Sequence, residues 1–248
     1  MATESLVRLV DVADEFGDGR VHTTVRANVQ VRGFPGCDGQ LDDAALAALE
    51  GTGLLPSRTH ELVRNIMVSP PSGVAGDRAD LRETSAELDR LICADPALAH
   101  LPGRFLFVLD NGRGDLVHRT CDLGLVALDE HVGQLRVGRG WGEVVPLHAA
   151  AGRIADLASA FLRARGNGPQ APWHVDELAE PLTPRMDPDR RIPGPAEPPP
   201  FGDIPGGRHV PVPEDGLDRA TVLELSAEAH ELVVTPWHGI LIPGVPHD

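Results

Sequence analysis

The sequence lacks lysine and tyrosine, and aromatic residues of all kinds are scarce. All 22 basic residues are arginines, aromatics make up 4% of 248 residues, and 37 acidic residues give a net charge of -15. Nucleic acids and anionic membranes bind through broad positive potential, which so acidic a chain does not offer. We therefore expect neither partner, and any anion site must be local.

Cysteine is also rare, and this limits the redox and metal chemistry. Cys37, Cys93 and Cys121 are far apart and form no CxxC pair, and none of the 11 histidines occurs in an HExxH spacing. An iron–sulfur cluster normally takes four thiolates, and zinc sites need clustered ligands. The sequence therefore predicts three free thiols, no metal site and no cofactor held within this chain.

Long hydrophobic runs are missing as well. No apolar run approaches the roughly 20 residues of a membrane span, and the acidic N-terminus has no signal-peptide pattern. Hydrophobic residues nevertheless make up 42% of the chain and charged residues 24%, which is typical of a globular protein. We expect a cytoplasmic protein with a sizeable core.

The stretch Arg20 to Phe34, RVHTTVRANVQVRGF, alternates between two kinds of side chain. One parity carries Val21, Thr23, Val25, Ala27, Val29 and Val31, and the other carries Arg20, His22, Thr24, Arg26, Asn28, Gln30 and Arg32. Such alternation predicts one strand with an apolar back and a polar front. The front has no carboxylate, which favours an anion-binding face over a plain solvated one.

Composition and periodicity divide the chain into four predicted regions. They are a hairpin and helix half-domain at 1–75, an α/β subdomain at 76–180, a Pro-rich linker or surface-wrapping segment at 181–216, and a strand hairpin at 217–248. Within them the patterns predict a strand at 6–13 and helices at about 42–50, 79–93 and 147–165.

The tail repeats the beginning of the chain. An offset of 211 residues places Thr235 on Thr24 and Trp237 on Arg26, and TVLELS falls on LVRLVD after a small gap. This self-similarity predicts a duplicated architecture. We expect residues 221–243 to pair antiparallel with the opening strand, and Trp237 either to close the core or to cover a ligand.

Four phrases resemble a known family. TTVRANVQVRG, GLLPSRTHELVRNIMVSPPSG, LICADPALAHLPGRFLFVLDNGRGD and TPWHGILIPG are similar to the amino-terminal half of precorrin-3B synthase, the cobalamin-pathway member of the nitrite and sulfite reductase family. The resemblance implies an α+β fold: a ferredoxin-like half-module with a mixed or antiparallel sheet and helices, plus the first hairpin of a second repeat. It also implies that residues 76–180 face a tetrapyrrole.

The resemblance also implies three anion-facing arginines. They are Arg26 in TTVRANVQ, Arg64 in VRNIMVSP and Arg104 in RFLFV, where the family's second basic position is Leu106 here. We expect the three to converge with Asn28 on one concave surface. The departure at Leu106 favours the cobalamin branch over a sulfite or nitrite reductase.

The chemistry of a precorrin fits the same residues. Carboxylates surround its macrocycle, and arginine binds a carboxylate with two parallel hydrogen bonds. On a straight strand with about 3.3 Å per residue, Arg26 and Arg32 would stand roughly 20 Å apart, with Asn28 and Gln30 between them as neutral donors. The predicted substrate-binding residues are therefore Arg26, Asn28, Gln30, Arg32, Arg64 and Arg104.

The family's redox group is a 4Fe-4S cluster, with siroheme added in the reductases, and its four cysteine ligands are absent from this sequence. Three interpretations follow. The chain is one subunit of a split precorrin-3B synthase-like oxidoreductase whose cysteine-rich partner brings the cluster, a non-catalytic tetrapyrrole or anion-binding module, or an inactive truncated remnant. A sulfite or nitrite reductase-like subunit is a further alternative.

Overall fold

A computed structural model describes residues 1–37, 40–71, 73 and 76–244. The helices are α1 (Thr3–Phe16), α2 (Asp43–Gly51), α3 (Arg82–Ala94), α4 (Leu147–Arg165) and α5 (Arg219–Glu228). The strands are β1 (His22–Thr23), β2 (Val29–Gln30), β3 (Gly36–Cys37), β4 (Gln40–Leu41), β5 (Ile66–Val68), β6 (Phe107–Asp110), β7 (Leu123–Ala127), β8 (Val132–Val137), β9 (Gly140–Pro146), β10 (Gly202–Ile204), β11 (Gly207–Pro211), β12 (Val233–Thr235) and β13 (Gly239–Pro243). Helices and sheets are mixed, which confirms the predicted α+β class.

The chain forms two compact units. Unit 1 comprises Met1–Pro56, Ser72–Val74 and Pro199–Asp248, and unit 2 comprises Ser57–Pro71 and Ala75–Pro198. Unit 2 is thus inserted between the two ends of unit 1. Among the described residues, no helix combines the length and the hydropathy that crossing a membrane requires.

The first element differs from the prediction, since residues 6–13 belong to helix α1 rather than to a strand. Leu6, Leu9, Val10 and Ala13 follow the spacing of a helical stripe, and all four are buried. The valines in this stretch suggested a strand, but packing overrides their weak β preference. The helices predicted at about 42–50, 79–93 and 147–165 are present as α2, α3 and α4, and Asp42 caps α2 by accepting from the backbone N–H of Ala44 at 2.7 Å. The strand hairpin predicted at 217–248 was wrong in its first half, because residues 219–228 form helix α5.

Unit 2 is built on a five-stranded sheet in the order β5-β6-β7-β8-β9. The pairs β5–β6 and β6–β7 are parallel, and β7–β8 and β8–β9 are antiparallel. Helices α3 and α4 pack on one face over a core that includes Phe105, Phe107, Leu125, Leu135 and Phe161. The amino ends of β5, β6 and β7 lie side by side at one edge.

The Pro-rich segment 181–198 wraps over unit 2. Gln134 donates to the carbonyl oxygens of Gly142 and Asp187 at 3.0 and 2.9 Å, and it accepts from the N–H of Asp189 at 2.7 Å. Its neighbour Leu135 belongs to the helix-covered core, so Gln134 points to the opposite face of the sheet. The segment therefore covers the face that the helices leave open.

The predicted linker also contains regular structure, because β10 and β11 lie within 181–216 and form an antiparallel hairpin in unit 1. The sheet order there is β10-β11-β13-β12. Consequently β13 pairs with β11 and β12, not with the opening strand as predicted. The tail is apolar on both faces, so its sequence does not indicate which strand pairs with it.

The opening stretch is a hairpin rather than one strand. Strands β1 and β2 pair antiparallel, with His22 opposite Gln30 and Thr23 opposite Val29. The backbone reverses between Thr24 and Asn28, where the Thr24 N–H donates to the Asn28 carbonyl at 2.9 Å. Strict alternation cannot reveal such a reversal when the turn has an odd number of residues, because the parity continues unchanged through it.

The predicted repeat is present as two copies of a helix followed by a hairpin, α1–β1–β2 and α5–β12–β13. With the offset of 211 residues, the register is the same in both hairpins: His22–Gln30 and Thr23–Val29 in the first, Val233–Leu241 and Val234–Ile240 in the second. Ala27 and His238 occupy the same place in the two turns. Both have a left-handed backbone, with φ 58° and 53°, and they alone among the described non-glycine residues have positive φ.

Reciprocal backbone hydrogen bonds join the two copies. Met1 lies just before α1, and Leu232 lies just before β12. The Met1 amino group donates to the Leu232 carbonyl oxygen at 2.8 Å, and the Leu232 N–H donates to the Met1 carbonyl oxygen at 2.9 Å. Leu217, just before α5, exchanges two bonds of 2.9 Å with Val21, just before β1. The residue before each helix therefore bonds the residue that precedes the other copy's hairpin. Helices α1 and α5 also pack against each other within the same core.

His209 of β11 lies beneath the second hairpin. Its exposed fraction is 1%, its Nδ1 lies 3.0 Å from the Pro199 carbonyl oxygen, and its Nε2 lies 3.0 Å from the Thr235 hydroxyl. Because a carbonyl can only accept, Nδ1 carries the proton, and Nε2 of the neutral ring accepts from Thr235. Burial lowers the pKa of His209, and the Pro199 and Pro200 carbonyls partly offset this effect.

We predict that unit 1 loses stability as the pH falls below about 6.5, the pKa of an unfolded histidine. The unfolded chain then binds a proton that the buried His209 resists, so the free energy of unfolding falls by at most about 1.4 kcal/mol per pH unit. His209→Gln should flatten this slope in melts between pH 7 and 5. The exposed His148 provides the control, since His148→Gln should leave the slope unchanged. Equal slopes in His209→Gln and wild type would contradict the assignment.

Candidate functional site

The hairpin β1–β2 presents the candidate anion-binding face. Even-numbered residues remain on one side of both strands, because the turn preserves parity. On the other side Val21 is buried, and Val29 and Val31 pack against the same core. The predicted polar front and apolar back are therefore both present. Val25 is the departure, being 53% exposed because it lies in the turn.

The turn itself is held by Thr24. The Thr24 hydroxyl accepts from the N–H groups of Arg26 and Asn28 at 3.3 and 3.2 Å, and the Thr24 carbonyl accepts from Ala27 N–H at 3.0 Å. A threonine that bonds the backbone two to four residues ahead fixes a compact turn. Arg26 thus stands at the tip of a rigid hairpin, and the predicted span of roughly 20 Å to Arg32 does not apply to a folded-back strand.

The basic side chains on this face fall into two groups. Arg20 and His22 are anchored, since Arg20 donates to the Gly216 carbonyl at 3.2 Å and His22 lies 2.8 Å from the Asp18 carboxylate. Arg26 is half-buried and Arg32 is exposed, and neither side chain has an ion-pair or hydrogen-bond partner among the described residues. Gln30 is also exposed. Two guanidinium groups are thus available to an external anion.

Arg64 is engaged within unit 2. It binds Asp89 of α3 with two bonds, Nε to Oδ1 at 2.7 Å and Nη2 to Oδ2 at 3.1 Å. Burial alone would lower the pKa of Arg64, but the hydrogen bond and charge of Asp89 raise it overall. An external anion would therefore compete with Asp89 for this guanidinium.

Arg104 precedes β6 and is exposed, with no side-chain partner among residues that the structure describes. Arg64 and Arg104 belong to unit 2, whereas Arg26, Asn28, Gln30 and Arg32 belong to unit 1. Within unit 2, Arg64 and Arg104 both come just before the neighbouring strands β5 and β6. The convergence of all three arginines on one surface stays a prediction.

The second hairpin has diverged from the first. Thr235, Gly239 and Leu241 are buried where the first hairpin has Thr24, Asn28 and Gln30. Trp237 is half-buried and meets the His209 ring edge-on at 6.3 Å between ring centroids. This contact fits a core role for Trp237. The first hairpin therefore carries the open polar face, and the second fills the interior.

The cysteines provide no cluster site among the described residues. Cys121 is buried, and burial raises the pKa of its thiol to about 11. Burial also raises the pKa of Cys93. The side chain of Cys37 lies outside the described residues. Over the described ranges, no group of three or more histidine, cysteine or acidic residues could hold a metal ion.

The loop after β6 carries buried polar residues that the sequence reading missed. In DNGRGD, Asp110 accepts from the N–H groups of Gly112, Gly114 and Leu116 at 2.9 to 3.0 Å. Asp115 lies 2.6 Å from the Ser69 hydroxyl, and burial raises its pKa. The apolar runs on either side of these glycines predict two strands joined by a plain turn, but the chain forms β6 before the loop and no strand directly after it. Aspartate followed by alternating glycines was the available signal for a self-bonded loop.

Comparisons with known proteins agree with this fold. The model of the nitrite/sulfite reductase ferredoxin-like half domain matches residues 1–38, which include α1 and the Arg26 hairpin. The structure of Mycobacterium tuberculosis NirA is similar over 99% of this chain, with a TM-score of 0.70 and 18% identity. The chain spans about half of NirA, covering 52% of its length. No curated protein matches the sequence.

We predict that Asp89→Asn removes the carboxylate that competes with an external anion for Arg64. The variant should weaken unit 2 by roughly 1 kcal/mol, because a half-buried guanidinium loses its charged partner. It should also strengthen the binding of a polycarboxylate such as citrate, since the ligand no longer competes with Asp89 for Arg64. Thermal melts and calorimetric titration measure the two effects.

The matched control is Asp80→Asn, which removes an ion-pair partner of the exposed Arg82. It should change neither quantity appreciably. Weaker unit 2 with unchanged citrate affinity in Asp89→Asn would show that Arg64 has a structural role alone.

Proposed function

We propose that this chain is the tetrapyrrole-binding part of a precorrin-3B synthase-like oxidoreductase of cobalamin biosynthesis, acting in the cytoplasm. The observation that carries the proposal is the pair Arg26 and Arg32. In a chain with 37 acidic residues, these two arginines have no carboxylate partner among the described residues, although they share one hairpin. An external polyanion supplies the missing counter-charge.

The first hairpin suits carboxylates on a large ring. Each guanidinium offers a planar pair of N–H donors to a carboxylate, and Gln30 adds neutral donors on the same face. The left-handed Ala27 and the Thr24 bonds fix the position of Arg26 before any ligand arrives, which lowers the entropy cost of binding. We assign Arg26, Asn28, Gln30 and Arg32 to substrate carboxylates, with Arg104 and a released Arg64 as further contacts.

The cluster that the family uses does not fit this chain's residues. Three cysteines cannot supply four thiolates, and the raised pKa values of Cys93 and Cys121 favour neutral thiols rather than ligands. We therefore derive no electron-transfer step from this chain. Under the proposal, a cysteine-rich partner half supplies the cluster, and this chain binds and orients the tetrapyrrole.

A second candidate is a subunit of the sulfite or nitrite reductase kind. It is favoured by the family model on residues 1–38 and by the structural similarity to NirA. The same arginines would then hold a small oxyanion or the carboxylates of a siroheme. A binding module without catalysis, or an inactive remnant, are the remaining interpretations.

The test is a titration of the purified chain with uroporphyrin, a porphyrin bearing eight carboxylates, followed by visible absorbance. The double variant Arg26→Gln/Arg32→Gln should bind about a hundredfold more weakly, at about tenfold for each charge-assisted pair. Arg163→Gln, which removes an exposed arginine of α4, should bind as wild type does.

Titrations with sulfite and nitrite separate the alternatives. Tight binding of either oxyanion without porphyrin binding would favour the reductase-like candidate. Binding of none of the three probes would leave the inactive remnant, and porphyrin binding that ignores both substitutions would contradict the assignment of the hairpin.

A further inference from the structure

Unit 2 contains a cavity that the proposed hairpin site does not use. Its volume is about 100 Å³, and it lies where the β8–β9 turn meets the short 3-10 helix Val175–Glu177 and the start of the wrapping segment. Val137, Val175, Leu178 and Leu182 provide apolar walls, together with the ring of Trp141. Asp176 and Arg185 are the charged residues that line it.

The negative charge in the cavity wall is already neutralised. The Asp176 carboxylate accepts from the Arg139 backbone N–H at 3.2 Å and from its Nε at 3.3 Å. His174 Nδ1 accepts from the Asp176 backbone N–H at 3.1 Å and fixes the residue in place, without adding positive charge to the carboxylate. Asp176 is therefore committed to the turn and repels an incoming anion only weakly.

The positive charge is not neutralised. Arg185 is exposed and has no ion-pair or hydrogen-bond partner in the described part of the chain. The next residue, Met186, donates its backbone N–H to the Trp141 carbonyl oxygen at 2.9 Å, and this bond holds the backbone of Arg185 beside Trp141. Behind the indole, Arg136 stacks at 5.9 Å from the ring centroid. Arg136 is nine-tenths buried, and its Nη1 has no hydrogen-bond partner among described atoms.

We propose that this cavity binds a carboxylate on a short methylene arm, the chemistry of propionate. Arg185 holds the carboxylate, and the methylenes lie against Trp141 and the aliphatic wall. The size is of the right order, since a cavity of about 150 Å³ holds the six carbons of benzene, and about 100 Å³ in proportion suits about four heavy atoms, with the fifth at the open mouth. The arm belongs either to a free short-chain acid or to a larger ligand such as a porphyrin, and in either case the cavity shares no lining residue with the Arg26 hairpin.

The first test is titration of the full chain with propionate, monitored by tryptophan fluorescence. Wild type should bind and Trp141→Phe should lose the signal, which assigns the signal to this cavity. Arg185→Gln should weaken binding about tenfold, because it removes the charge-assisted contact. Arg190→Gln, on the same segment and exposed, should bind as wild type does.

Propionamide is the matched neutral ligand and should bind much more weakly than propionate. Equal affinity for the two, or equal propionate affinity in Arg185→Gln and wild type, would overturn the proposal. Absence of propionate binding together with absence of coproporphyrin binding would overturn it as well.

Coproporphyrin, with four propionate arms, distinguishes the two sources. If Arg185→Gln weakens coproporphyrin binding, the arm belongs to a larger ligand. If propionate alone depends on Arg185, the ligand is a free acid. The outcome does not depend on the hairpin, because the Arg26→Gln/Arg32→Gln variant should still bind free propionate with wild-type affinity.

Discussion

The fold of unit 1 depends on two pairs of backbone hydrogen bonds. Each pair joins one copy of the helix-and-hairpin repeat to the other copy. Met1 bonds Leu232, and Val21 bonds Leu217, so the segment before each helix pairs with the segment before the other copy's hairpin. The first pair closes a separation of 231 residues. Neither copy satisfies its own backbone there, and an unpaired buried backbone group is costly. The arrangement therefore makes the two copies one folding unit, although unit 2 separates them in the sequence.

Once the two copies share a core, their hairpins are free to differ. Both keep the same register and the same left-handed turn residue, at Ala27 and His238. Left-handed backbone at a non-glycine residue is unfavourable and persists where its surroundings fix it. The first hairpin uses the shared geometry to present arginines, whereas the second buries Thr235 against His209. Duplication thus provides one open face and one structural support.

Sequence patterns predicted the parts of this structure that local physics determines. The repeat with its offset of 211 residues and the α2 and α4 helices follow from periodicity, capping and self-similarity, whereas the α+β class was implied by the family resemblance. The polar face of the first hairpin was also predictable, because alternation survives an odd turn. Its reversal at Thr24 was not, and neither was the helical state of residues 6–13, since both depend on packing partners distant in sequence.

The candidate site was predictable to a similar extent. Residue type and resemblance identified Arg26 and Arg32, and the structure leaves both available. Residue type and resemblance could not reveal that Asp89 binds Arg64, because the two residues are 25 positions apart and no local sequence pattern links them. The cavity beside Trp141 was equally hidden, since strand, 3-10 helix and wrapping segment each contribute part of its wall.

The exchanged pairing of the two copies is tested most directly by native-state hydrogen exchange. The account predicts that the amide protons of Val21, Leu217 and Leu232 exchange with the same free energy of opening as that of Val10 in the core of α1, because all four become exposed when unit 1 unfolds as a whole. Fast exchange at Leu217 and Leu232 while Val10 remains protected would show that the copies open independently, and it would contradict the account.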